Sequence, residues 1–183
     1  YRIIYEALSS RWLFVVGLLM SVAVSTEYPL AVVVVMIFLW GVYLMPQRWA
    51  MWRVVVGGVP LMLMFFGYNQ LAFESPFRLA YAYSTYFTQS LQQGFMSLTL
   101  PKWEFLIGLT VDRFRGLFFL SPVLLLGLVG LLLMWSGARR WRSVTGLFAV
   151  IMAFMLLYTS SSASWWGGSG VGPRYLVPML PFL

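Results

Sequence analysis

"GLFFLSPVLLLGLVGLLLMW", residues 116–135, runs for twenty positions without a charged side chain. A helix of roughly 20 apolar residues is what a hydrocarbon core about 30 Å thick requires. Residues 116–135 therefore read as a membrane span, and the fold class follows from how often the pattern recurs. Toward the C-terminus, residues 144–160 form a second such run and Tyr175 begins another. Toward the N-terminus, residues 12–25, 30–45 and 54–68 are apolar, the first of them short. The predicted fold is an all-α polytopic transmembrane bundle: one membrane domain over residues 1–183, with about five spans and a sixth, over 175–183, interrupted by the end of the sequence. The chain begins at Tyr1 rather than at a methionine and stops inside an apolar run, so it is expected to be an internal piece of a longer protein. No signal peptide can be sought in such a piece.

Composition supports the same class. The chain is 61% hydrophobic and 19% aromatic, with 9% charged residues, where soluble domains average about a quarter charged. The net charge of +7 sits in short clusters between apolar runs rather than along one face. That distribution marks topology and argues against nucleic acid as a partner. Cysteine and histidine are both absent from the sequence. Disulfides, thiol nucleophiles, histidine bases and the usual zinc sites are thereby excluded, and acid/base work is left to carboxylates. No cofactor motif is evident; a divalent metal is compatible with the sequence.

Breaks and basic clusters order the runs. In "TEYP", residues 26–29, Pro29 cannot donate to a helix and disfavours helix at Tyr28. Gly57, Gly58 and Pro60 are expected to weaken the first turns of the third span. Arg48 and Arg53 fall in one short loop, and Arg139, Arg140 and Arg142 in "GARRWRS", with no acidic residue in either. Both loops are expected on the cytoplasmic side, along with Arg2 and Arg11. Alternation then puts "TEYP", the long loop 69–115 and the closing loop outside, with every acidic residue except Glu6. Within the long loop, "LPKWEFLIGL", residues 100–109, sets Trp103, Leu106 and Ile107 at helical spacing, while Lys102 and Glu104 can face water. It reads as a short helix in the interface plane. The tyrosine- and glutamine-rich residues 81–95 suit an interface or a cavity lining.

Three places could carry chemistry. Glu27, at the break after the first span, is either a cap on the second helix or a site carboxylate facing water or a cation. Asp112, Arg113 and Arg115 cluster in "VDRFRG", where two arginines can hold a phosphate and the aspartate can orient them or accept a proton. The same arginines could instead anchor the loop by snorkelling toward lipid phosphates. The closing "SSASWWGGSGVGPRYLVPMLPFL", residues 161–183, combines Gly167, Gly168, Gly170 and Gly172 with Trp165, Trp166 and Arg174. Glycines admit an anion to backbone amides, indoles offer flat faces to a sugar, and the arginine supplies a fixed positive charge. A tryptophan belt with a flexible turn explains the indoles equally well.

"YNQLAFESPFRLAY", "RFRGLFFLSPVLLL" and "WWGGSGVGPRYLVPMLP", in this order and spacing, resemble the rear half of bacterial glycosyltransferases of the GT-C superfamily. These are relatives of the protein mannosyltransferases and lipid A aminoarabinose transferases, with an RgtA/B/C/D-like domain. The "GLLMSVAVSTEYPLAVVVV" hairpin is similar to the helix pair that ends the shared core of that family. The resemblance implies a multi-pass protein of the bacterial inner membrane that transfers a sugar, with inversion, from a polyprenyl-phosphate donor to a glycan, lipid or protein acceptor outside. It also implies a catalytic acid in a first outer loop that would lie before Tyr1, leaving Glu27 and Asp112 as the candidates within this chain. Charge and topology make Arg113, Arg115, Trp165, Trp166 and Arg174 the candidate donor site, at the rim where the lipid-linked sugar enters. The rival reading is a transporter or flippase of lipid-linked sugars, which broken helices and interfacial arginines suit as well.

Overall fold

The apolar runs fold as helices, and most of them stop where the sequence carries proline, glycine or a polar turn. The computed structural model describes residues 10–77, 98–167 and 172–183. The class is all-α: no strand occurs among the described residues, and Leu98 with Ser162 forms only an isolated bridge. The chain divides into two units, Tyr1–Tyr83 and Ser84–Leu183. Arg2, Glu6, Arg78 and the tyrosine-rich residues 81–95 lie outside the described residues.

In the first unit, α1 (Ser10–Thr26) and α2 (Leu30–Leu44) are separated at the predicted break. The N–H groups of Leu30, Ala31 and Val32 turn back to the carbonyls of Glu27, Tyr28 and Pro29 at 3.0, 3.0 and 3.2 Å, so the break is one tight turn. A short 3-10 segment, Arg48–Met51, leads into α3 (Trp52–Phe73). Leu13, Ala50, Met51 and Val54 are buried together, surrounded by Val16, Met20, Phe38, Val42 and Met45, so all three helices share this core.

The expected weakening at Gly57, Gly58 and Pro60 does not occur: α3 is continuous over 22 residues. The reason lies in α1. A Cβ on Gly57 would come within 2.7 Å of the Phe14 carbonyl carbon, and one on Gly17 equally close to that of Val54. The two backbones touch where Gly57 meets Phe14 and Gly17 meets Val54 and Gly58, and the Ser21 hydroxyl donates to the Gly58 carbonyl at 3.1 Å. Small residues on both helices are what permits such an approach, and the close packing of the two backbones offsets the poor helix propensity of glycine. Past the end of α3, Glu74 adopts left-handed backbone (φ 59°) with its N–H on the Gln70 carbonyl. The buried Asn69 amide donates to the Pro76 carbonyl at 3.1 Å and fixes the exit of the chain.

The second unit contains α4 (Trp103–Thr110), α5 (Leu117–Leu120), α6 (Leu124–Ser136), α7 (Arg139–Ser161) and a 3-10 helix, Arg174–Phe182. Here the run that decided the fold class is interrupted. Residues 116–135 are not one continuous helix: Pro122 removes a donor and turns Ser121 out of the helical region (φ −137°, ψ 74°), leaving a four-residue α5 and a thirteen-residue α6. The second basic loop also contracts to Gly137 and Ala138, because Arg139 to Arg142 already belong to the first turn of α7. Positive charge at a helix N-terminus is unfavourable. Arg142 finds compensation at the end of α6, where its Nε donates to the Trp135 carbonyl at 3.1 Å. Over 174–182, where the start of another span is expected, the chain is a 3-10 helix containing Pro178 and Pro181. Ile151, Met155, Leu176 and Met179 are fully or nearly fully buried. Phe148 of α7 meets Phe182 edge-to-face at 5.3 Å, so the 3-10 helix is seated on α7.

Two helical stretches, Arg48–Phe73 and Trp141–Ser161, one in each unit, are long and apolar enough to cross a membrane. The helices α1, α2 and α6 are apolar but shorter, at 17, 15 and 13 residues.

Candidate functional site

The site is assembled at the last turn of α7, where carbonyls lose their helical partners. The N–H and hydroxyl of Thr99 donate to the Ser161 carbonyl at 2.7 and 3.1 Å, and the N–H of Lys102 to that of Ser160 at 3.4 Å. The hydroxyls of Ser160 and Ser161 fold back to the Leu157 carbonyl at 2.9 and 2.7 Å. Thr159 is buried beside them, its hydroxyl oxygen without a hydrogen-bond partner. These bonds tie the start of α4 to the end of α7.

The helix α4 begins three residues later than the 100–109 expected, because Pro101 and Lys102 are outside it. Its inward face is Phe105, Gly108 and Leu109, while Trp103 and Ile107 of the set picked out by spacing are exposed and Leu106 is half-buried. The Trp165 indole stacks on Phe105 at 5.0 Å and 20°, and its edge lies where a Gly108 Cβ would be, 2.7 Å away. Only glycine at 108 lets this ring lie flat on the helix. One face of Trp165 is thus covered by protein, whereas Trp166, perpendicular to it at 6.3 Å, remains exposed.

Beyond α4, the Val111 and Asp112 N–H groups converge on the Ile107 carbonyl at 3.0 and 3.2 Å, and the Gly116 N–H closes on the Asp112 carbonyl at 2.8 Å. Asp112 Oδ1 accepts the Arg113 N–H at 2.8 Å. A Cβ on Gly116 would overlap the Asp112 backbone, so this loop too needs glycine. It presents Arg113 and Phe114 outward and turns Arg115 inward. Arg115 is only 7% exposed, and its Nη1 donates to the Gly172 carbonyl at 2.9 Å. The same carbonyl accepts the Arg174 N–H at 3.0 Å. Gly172 (φ +77°) and Gly167 (φ +75°) hold backbone that other residues rarely adopt, and Gly167 lies against Arg174. The Arg174 guanidinium is exposed, 5.4 Å from the Tyr175 ring centre.

Asp112, Arg113, Arg115, Trp165, Trp166 and Arg174 therefore all belong to the second unit, joined through α4 and Gly172. Glu27 belongs to the first, half-buried between α1 and α2. It does not cap α2, whose N-cap is Pro29 with no side-chain cap bond. The role of Gly108 as a seat for Trp165 and the shared Gly172 carbonyl were missed in the sequence. A glycine inside a short apolar helix was the available signal for the first; nothing local announces the second. Among the described residues no group of three or more Asp, Glu, His or Cys side chains could hold a metal ion. No family model matches the chain, and neither a curated protein nor a solved structure matches it.

Proposed function

We propose that this chain is part of a multi-pass glycosyltransferase of the bacterial inner membrane, moving a sugar from a polyprenyl-phosphate carrier to an acceptor on the outer face. The observation that carries the reading is the Gly172 carbonyl, shared by Arg115 Nη1 and the Arg174 N–H. It brings the arginine loop against the glycine-rich segment and leaves Arg113 and Arg174 exposed beside it. In the transfer, a carboxylate takes the proton of an acceptor hydroxyl, the oxygen attacks the anomeric carbon, and the carbon–oxygen bond to phosphate breaks with its electron pair leaving on the phosphate. Arg174 and Arg113 are suited to receive that charge, the exposed Trp166 indole to lie on the sugar or at the membrane interface, and Arg115 to hold the two segments together. The apolar helices too short to cross alone are accommodated by local thinning of the bilayer, snorkelling of flanking side chains and packing against neighbouring helices.

The test is transfer of labelled sugar from a polyprenyl-phosphate donor in membranes containing the complete gene product. Arg174→Ala removes a charge-assisted contact worth about 1.5 to 3 kcal/mol, roughly ten- to a hundredfold in turnover, and Arg174→Lys restores part of it. Arg48→Ala, in the other unit, leaves turnover nearly intact at matched protein level. Wild-type activity in Arg174→Ala removes the phosphate role. The interruption at Ser121 and Pro122 favours the second reading, a transporter or flippase, since broken helices form substrate sites in such proteins. Movement of the lipid-linked sugar across vesicles without transfer decides for it.

A further inference from the structure

The helix α4 is apolar on two opposite faces. Phe105, Gly108 and Leu109 face the protein, while Trp103, Ile107 and Val111, at i, i+4 and i+8, are 73%, 42% and 60% exposed. The exposed apolar residues continue beyond both ends, with Leu100 at 85% and Phe114 at 62%. Little on this surface solvates it: the Thr110 hydroxyl is turned back to the Leu106 carbonyl at 2.8 Å, leaving Glu104 as the polar side chain of the exposed face. A contiguous patch of this kind is not a surface made for water.

Its level along α7 identifies what covers it. The chain leading into α4 is hydrogen-bonded to the Ser160 and Ser161 carbonyls, in the last turn of a stretch, Trp141–Ser161, long enough to cross a membrane. Twenty-one helical residues rise roughly 30 Å, the thickness of a hydrocarbon core, so the last turn of α7 reaches a bilayer surface. The tie at Thr99 and Lys102 holds α4 at that same level. We propose that the outward face of α4 is a lipid-binding surface, with Trp103, Ile107 and Val111 inserted at the boundary between headgroups and acyl chains. Exposed tryptophan suits that depth, and Lys102 and Arg113, exposed on either side of the helix, can reach lipid phosphates. Opposite charges at Glu104 and Asp112 balance these two, so the surface takes lipid through apolar insertion rather than through net charge. The proposal rests on α7 spanning the membrane and is independent of sugar transfer.

The chain contains no cysteine, so single cysteines can be introduced without background. Nitroxide labels at Ile107, Val111, Ala138 and Val150 are compared in vesicles of phosphatidylcholine and phosphatidylglycerol, Ala138 being an exposed position in the turn before α7 and Val150 an exposed position inside it. Collision with oxygen relative to a water-soluble nickel chelate is expected severalfold higher at Ile107 and Val111 than at Ala138, at a shallower depth than Val150. Nickel access at Ile107 equal to that at Ala138, with Val150 in the bilayer, overturns the proposal alone and leaves the spanning reading standing. Inaccessibility of Ile107 to both reagents means a protein covers the face and also overturns it. Nickel access at Val150 removes the spanning reading and the proposal together.

Discussion

Gly172 is where the two arginine segments meet. Its carbonyl accepts from Arg115 Nη1 and from the Arg174 N–H, and its positive φ excludes most other residues from the position. Removing a buried guanidinium leaves its acceptor, here the Gly172 carbonyl, without that donor and empties a packed volume, whereas at the surface water replaces the lost group. Arg115→Ala is therefore expected to destabilise the second unit by about 1.5 to 3 kcal/mol, with Arg115→Lys recovering part of it. Arg113→Ala, at the exposed tip of the same loop, should remain within roughly 0.5 kcal/mol of wild type. Apparent melting temperatures in detergent, at matched protein and detergent concentrations, measure the difference. Equal shifts for both substitutions would remove Arg115 as the link. Charge and spacing were enough to single out both arginines in the sequence, but not to tell them apart. Which one turns inward depends on a distant carbonyl, 57 positions along the chain.

At the scale of elements, the packing of α1 on α3 shows how far propensity misleads. Gly57 and Gly58 read as weak points because a glycine inside a helix costs about 1 kcal/mol against alanine. In the folded unit they are the points where α1 comes closest. Gly67, in the same α3, has nothing within 4 Å of its Cβ position. Alanine at these sites should act in opposite directions: Gly67→Ala neutral or stabilising through propensity, Gly57→Ala destabilising by about 1 to 3 kcal/mol, since the obstacle is backbone that cannot rotate away. Equal melting temperatures for the two variants would mean the helices do not pack as described. The proline effects divide along the same line. Pro122 breaks its apolar run, while Pro60 is carried inside a helix that α1 packs against just before it, at Gly57 and Gly58.

At the scale of the whole molecule, the basic segments carry the proposed membrane orientation. The exposed Gln47 and Ala138 lie beside five arginines and no carboxylate. Cysteines at both positions are expected to be protected from an impermeant thiol reagent in intact cells, and one at Gln92 to be labelled. Labelling at Ala138 would invert the second unit and move the arginine loop to the cytoplasmic side. The helical class, the break at Pro29 and the existence of a helix near residues 103–110 could all be read from the sequence alone. Each depends on periodicity or on one residue's effect on its neighbours, and such local signals survive without knowledge of the fold. The tertiary structure alone decided that Arg115 faces inward, that Trp165 is laid flat on Gly108, and that Gly57 is a point of close approach rather than a flaw. Those outcomes depend on which backbone atoms come within a few ångströms across long stretches of chain, and nothing in the residues adjacent to each position encodes that distance.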